Sequence, residues 1–206
     1  MGPRPNVLLY GAPSTVEVGG APLRIKTDWR VWVRVQMLMD DPEVPDRMAG
    51  GLLLDAAYPR RALDGEAEPP YDAAVRNAPD AVRAALWFMR MGVPERPKTP
   101  EERRVSRLRT WDWGWDAAPV VADFQRFYGI DLTDPGLRMH WWRFWSLFCG
   151  LGDGSESMRI MAVRAADEGK LKGEEKRLLV ESKRRAMLPA RTEEERRRNT
   201  SIRFGV

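Results

Sequence analysis

The chain has 206 residues, 43% hydrophobic and 31% charged, so it has room for one core with appendages and is excluded from wholesale disorder and fibrous repeats. Thirty-four basic and 30 acidic side chains, largely intermingled, leave a net charge of +4, which does not by itself indicate nucleic acid. The single cysteine, Cys149, excludes an intramolecular disulfide and any cysteine-built metal cluster, and no apolar run reaches the roughly 18–20 residues of a membrane span.

Met1 to Asn6 lacks the charged-then-apolar profile of a secretory leader, which suits a reducing cytoplasm. Residues 1–15, with three prolines and two glycines, resist regular structure and read as a flexible arm. Val16 and Val18, then Leu23 and Ile25, alternate around Gly19-Gly20 as a short β-hairpin would, with Pro22 confining it to an edge. Thr27 can cap a helix over 28–41, with Asp28 in its first turn and Trp29, Trp32 or Val33, Gln36 and Met37 on one face. Pro45-Asp46 opens a second helix over 47–57, which Gly50 and Gly51 weaken by about 1 kcal/mol each while permitting close packing. Residues 59–78 read as a loop. A third helix runs from Pro79-Asp80 to a stop at Gly92, with a stripe of Val82, Leu86 and Met89 beside Ala85 and Phe88. Residues 16–92 thus form a first folded half, and residues 93–110, rich in proline and basic side chains, an exposed linker.

The second half spans 111–189. Asp116 can cap a helix over 117–128, ended by Gly129, and Thr133-Asp134-Pro135 supplies the start of another through the HWWRF string. In that helix Leu137, Trp141, Phe144 or Trp145, and Phe148 follow the spacing of a buried stripe, with Arg143 and Ser146 nearer water. Ser155 starts a shorter helix, and a long basic helix extends from about Lys170 to Met187, anchored by Leu171, Leu178, Leu179 and Val180. Residues 190–206 are charge-blocked and read as a flexible tail. The fold class is mainly α: an irregular helical bundle with a short N-terminal β-hairpin and a long basic C-terminal helix.

The residues that could carry chemistry have plainer uses. His140 is the only histidine, stands beside Trp141 and Trp142, and has no nearby nucleophile, so a packed, hydrogen-bonded imidazole is expected. Cys149, beside Leu147 and Phe148, reads as a buried small hydrophobe. In Trp111-Asp112-Trp113-Gly114-Trp115-Asp116 the carboxylates invite a metal or glycosidase reading, but Asp116 is better used as a helix cap and the alternating indoles as a dock for the linker. The glycines of 150–154 match no phosphate-binding loop. Lys183-Arg184-Arg185 and Arg196-Arg197-Arg198 are interleaved with glutamates, the pattern of a solvated helix with ion pairs four residues apart. No catalytic residue, metal or cofactor is expected, and the chain reads as a binding protein, not an enzyme.

One resemblance covers about residues 16–189. Asp116, Phe124, Tyr128-Gly129-Ile130-Asp131-Leu132, His140-Trp141-Trp142-Arg143-Phe144, Leu147-Phe148 and Gly150-Leu151 resemble the gene-product-fifteen family of tailed bacteriophages. Ile25 to Trp32, including Trp29 and Trp32, is similar to an early element of that family, as are Phe88 to Gly92 and Ile160 to Arg164 to later ones. The chain departs from the pattern at Arg143 and Trp145, and in the charged segment after Pro189. The resemblance implies an assembly chaperone encoded among the tail genes of long-tailed phages and working in the host cell cytoplasm. Its implied partners are the tape-measure protein, the tail-tube protein and further copies of itself in a homo-oligomer, with no nucleic acid and no membrane. Two rivals remain: a structural virion component at the head–tail or tail-tip junction, and a metal-dependent nuclease.

Overall fold

A computed structural model describes residues 5–94 and 96–204. Residues 1–4 of the expected arm, Glu95 of the expected linker and residues 205–206 of the expected tail lie outside the described residues. In chain order the elements are α1 (Val7–Tyr10), β1 (Thr15–Val18), β2 (Ala21–Arg24), α2 (Trp29–Met39), α3 (Asp46–Ala57), α4 (Pro70–Arg76) and α5 (Ala78–Met89). They continue as α6 (Pro100–Ser106), α7 (Ala117–Tyr128), α8 (Trp141–Cys149), α9 (Glu156–Ala165), α10 (Gly173–Arg185) and α11 (Glu193–Phe204). The protein is mainly α, with one antiparallel hairpin. Among the described residues no helix is long and apolar enough to cross a membrane.

The chain divides into two compact units, and neither is continuous in sequence: Met1–Arg96 with Gly136–Cys149, and Pro97–Pro135 with Gly150–Val206. In the first, β1 pairs with β2 in the register Val16 to Leu23 and Val18 to Ala21. Gly19 and Gly20 turn the hairpin at φ of 60° and 81°, a left-handed pair that side chains resist. Gly19 has a second reason to lack a side chain, since a Cβ there would stand 3.2 Å from Asn77 Oδ1. Its N–H donates to Asp80 Oδ2 at 2.6 Å, tying the turn to the start of α5.

The cap of α2 is Asp28, not Thr27: its carboxylate accepts the Arg30 N–H at 2.8 Å, while Thr27 uses its carbonyl elsewhere. The buried line of α2 is Trp32 and Val35, and Met37, expected on that face, is exposed. In α5 the buried line is Ala81, Ala84, Ala85 and Phe88, rotated from the expected Val82, Leu86 and Met89. Three alanines let neighbouring backbones approach closely, and close approach outranks side-chain bulk in choosing the face. Within 59–78, expected as a loop, proline at the first helical position starts α4, and within 93–110, expected as a linker, a full Thr99–Glu102 capping box builds α6.

In the second unit, α7 packs on α9, and α10 on both α9 and α11. Gly129 closes α7 at φ 64°, with its N–H on Gln125 O and the Ile130 N–H on Phe124 O. Ser155 caps α9 by accepting the Met158 N–H. The segment 190–206, expected as a flexible tail, contains α11, whose three leading glutamates and later arginine complement its dipole.

Candidate functional site

Three stretches of the first unit that are far apart in sequence meet at one place: 27–32, 87–92 and 139–148. Trp29 N–H donates to Met139 O at 3.1 Å and Trp141 N–H donates to Thr27 O at 2.7 Å, a two-residue antiparallel bridge between Asp28 and His140. This bridge is why α8 starts at Trp141 and not at the expected Thr133-Asp134-Pro135: residues 139–141 are extended to pair with residues 27–29. Thr133 instead donates its N–H and hydroxyl to Asp131 Oδ1, at 2.8 and 2.6 Å, in a side-chain-stabilised turn.

From α8, Trp142 Nε1 donates to Phe88 O at 2.8 Å and Trp141 Nε1 to Met89 O at 2.9 Å. These carbonyls belong to the last turn of α5, where helical partners run out. The helix ends there because Met91 and Gly92 turn left-handed, at φ 55° and 71°. Two indoles therefore serve this helix terminus, that of Trp142 sharing the Phe88 carbonyl with the Met91 N–H at 3.0 Å. Trp32 Nε1 donates to Lys26 O at 2.7 Å, so a third indole is also bound to backbone.

The rings pack continuously. Trp29 stacks on Phe144 at 4.6 Å, Trp32 meets Phe88 at 4.9 Å, and Phe144 lies parallel to Phe148 at 6.4 Å. Trp32, Trp141, Trp142, Phe144, Phe148 and Phe88 are buried. His140 packs on Phe88 at 5.6 Å; its Nδ1 accepts the Trp142 N–H at 3.0 Å and its Nε2 lies 3.1 Å from Pro13 O. An Nδ1 that accepts and an Nε2 that must donate fix the neutral Nε2–H tautomer. Burial pushes this imidazole below its ordinary value, and the Pro13 carbonyl opposes that only partly. Cys149 differs from expectation: it ends α8 as an exposed residue, although packing around its Sγ still pushes the thiol up.

Asp116, Phe124, Tyr128, Gly129 and Asp131 lie in the second unit, so the 116–151 motif is shared between two bodies. Phe124 is buried, edge-on to Tyr128 at 5.6 Å. Asp116 stands at the start of α7 but does not cap it with its side chain. Its carboxylate instead takes both arms of Arg164, at 2.6 and 2.9 Å, and the Asp112 N–H at 3.0 Å. Asp112 Oδ1 accepts the N–H groups of Gly114 and Trp115, and Oδ2 accepts Arg109 at 2.5 Å and Arg191 at 2.6 Å. Burial alone would raise the Asp112 carboxyl, but the Trp115 N–H, Arg191, the Gly114 N–H and Arg109 together hold it low. Arg109 also grips Glu195 at 2.9 and 3.0 Å. Of the three alternating indoles, Trp115 is 61% exposed, so it does not dock the loop onto a core.

The sequence reading passed over Asp123. Its two oxygens accept the N–H groups of Glu156 and Ser157, at 3.1 and 2.8 Å, so a buried carboxylate of α7 caps α9. An aspartate among Val120, Val121 and Phe124 on an amphipathic helix is the signal that could have exposed it. Glu195 and Arg191 gave no such signal, because their partners are some 80 residues away. Among the described residues no group of three or more His, Cys, Asp or Glu is placed to hold a metal ion.

The model of the family described as Bacteriophage Gp15 protein matches residues 11–188. The chain belongs to that family. Membership in the Gp15 family points to a structural or assembly role in a phage. No curated protein and no solved structure matches the chain. The matched span stops short of α11, so Asp112 and Arg109 lie within the Gp15 region while two of their partners, Arg191 and Glu195, come from beyond it.

Proposed function

We propose that this chain is a tail-assembly chaperone that holds the tape-measure protein, and secondarily the tail-tube protein, in the host cytoplasm until the tail polymerises. One observation carries the reading: the motif aromatics are consumed inside the protein, while apolar surface remains elsewhere. Leu8, Leu9 and Tyr10 are 92%, 71% and 80% exposed on α1, a one-turn helix next to the Pro13 carbonyl that His140 binds. A short apolar projection on a rigid body suits the apolar face of a long helical client. Further copies of the chain would multiply weak contacts along such a client, raising avidity by roughly 10²–10⁴ without new chemistry. The motif carboxylates are committed to arginines and backbone N–H groups, which supports a protein without catalysis or cofactor.

Co-expression with the tape-measure protein of the same phage tests the reading. The client should become soluble and co-purify, and Leu8→Ser with Leu9→Ser should abolish this while thermal unfolding stays unchanged. Recovery of the chain at fixed stoichiometry in washed virions would favour a structural component instead. Metal-dependent cleavage of DNA, lost in Asp112→Ala, would favour a nuclease.

A further inference from the structure

The charge of the chain is unevenly placed. From Lys170 onward there are twelve basic and six acidic side chains, a net +6 within a chain of net +4, so residues 1–169 are net negative. The excess becomes a surface in the second unit. Arg184, Arg196 and Arg203 line a groove of about 460 Å³ with Met187 and Phe204, and among the described residues no carboxylate lines it. Arg196 keeps one ion pair with Glu193 at 2.7 Å, and Arg184 donates to Ile202 O at 2.8 Å, so both guanidiniums are positioned by the α10–α11 hairpin itself. Along α10, Lys176, Arg177 and Arg184 border a second depression with Val180 and one carboxylate, Glu181.

The first unit carries the opposite surface. Between α2 and α3 the string Met-Leu-Met-Asp-Asp-Pro-Glu-Val-Pro-Asp-Arg-Met, residues 37–48, holds four carboxylates and one arginine. Met37, Met39 and Met48 are 40%, 44% and 50% exposed, and Asp40, Asp41, Glu43 and Asp46 are exposed between them. Methionines flanking carboxylates make an acidic, adaptable knob; arginines flanking Met187 and Phe204 make a basic, apolar groove. Both surfaces combine apolar contact with opposite charge, the pairing that gives a contact both affinity and orientation.

We infer that this chain associates with itself head to tail, the acidic Met37–Met48 knob of one copy docking on the basic α10–α11 groove of the next. The contact is heterologous, so it builds rings or open strings, and an open string has a free knob at one end and a free groove at the other. It gives the multivalent display that the chaperone reading invokes, and rests on that reading for its purpose though not for its physics.

Sedimentation equilibrium and light scattering test it with two double variants. Asp40→Lys with Glu43→Lys reverses the knob; a lysine at the C-terminal end of α2 also suits the helix dipole, so the fold is kept. Arg196→Glu with Arg203→Glu reverses the groove at two exposed positions, leaving Arg184 against two glutamates. The wild type should exceed the monomer mass at low salt and approach it when salt is raised to about 0.5 M, where screening shortens to a few ångströms. Each variant alone should be monomeric, with association weakened at least tenfold. Their equimolar mixture should recover species larger than a pair, because the wild-type knob meets the wild-type groove and the reversed knob meets the reversed groove. All four substitutions in one chain should restore larger species. A wild type that is monomeric throughout, or a mixture that fails to associate, overturns the proposal. So does a duplex DNA fragment that binds wild type and is lost with Arg203→Glu while the mass of the free protein never changes. Tape-measure solubilisation by both monomeric variants would leave the chaperone reading standing without this interface; self-association without solubilisation would do the reverse.

Discussion

His140 shows how one side chain can be indispensable without doing chemistry. Its Nδ1 must stay unprotonated to accept the Trp142 N–H, and burial holds its titration below the ordinary value. On acidification the unfolded chain therefore takes the proton first, so stability is complete above about pH 6.5 and declines as pH falls from there toward the folded-state value. The melting temperature should drop between pH 7.5 and 5.5, and His140→Asn, whose amide oxygen can take the same N–H, should flatten that drop; parallel curves for the two proteins would refute the assignment. Asp123 is the second residue of this kind. Two backbone N–H groups depend on its buried carboxylate, so Asp123→Ala should cost roughly 3–6 kcal/mol in denaturant unfolding, hydrogen bonds to a charged group being worth about 1.5–3 kcal/mol each. A loss under about 1 kcal/mol would mean that water replaces the carboxylate there.

Between elements, α8 is joined to α5 by rings and by two indole N–H groups, and these contributions separate. Trp142→Phe keeps a ring against Phe88 and forfeits the bond to the Phe88 carbonyl, so about 1 kcal/mol is expected. Trp141→Ala removes the ring too, and truncating a fully buried aromatic side chain costs about 3–5 kcal/mol. Equal losses in the two variants would contradict this division. The pairing of Asp116 with Arg164 follows other rules, since both are nearly buried, at 3% and 9% exposure. Asp116→Asn alone should cost about 3–5 kcal/mol by stranding a guanidinium, whereas Asp116→Leu with Arg164→Met should recover most of it, because paired burial of charge stabilises little on balance. The sequence displays the apolar half of such arrangements and hides the polar half. Gly129, Ser155, the hairpin around Gly19 and the Trp141–Phe144–Phe148 stripe were legible because periodicity and capping are local. The start of α8 was not, because Thr133-Asp134-Pro135 is a good local signal overridden by the pairing of residues 139–141 with residues 27–29. Asp116 illustrates the same limit: a side chain suited to capping goes to a partner 48 residues away.

At the scale of the whole chain, the sequence invites a cut near residues 93–110, and the fold does cut there, between Arg96 and Pro97, but it also crosses twice more where the sequence marks no boundary. After Arg96 the chain builds part of the second unit, returns at Gly136 to insert α8 into the first, and leaves again after Cys149. Linear composition marks α6 as a linker and cannot show that a helix 40 residues later belongs to the earlier body. The consequence can be measured. A fragment of residues 1–96 keeps the hairpin and α2 to α5 but loses Trp141, Trp142 and Phe144, leaving Trp32 and Phe88 facing water and the last carbonyls of α5 without their indole donors. Such a fragment should lack near-ultraviolet circular dichroism and unfold without a cooperative transition. Adding residues 136–149 through a short glycine-serine linker should restore both, since the loop-closure cost grows only as the logarithm of linker length while the aromatic burial is regained in full. Cooperative unfolding of 1–96 by itself would show that α8 is an accessory to a core already complete, and would move the meaning of the HWWRF motif from scaffold to surface.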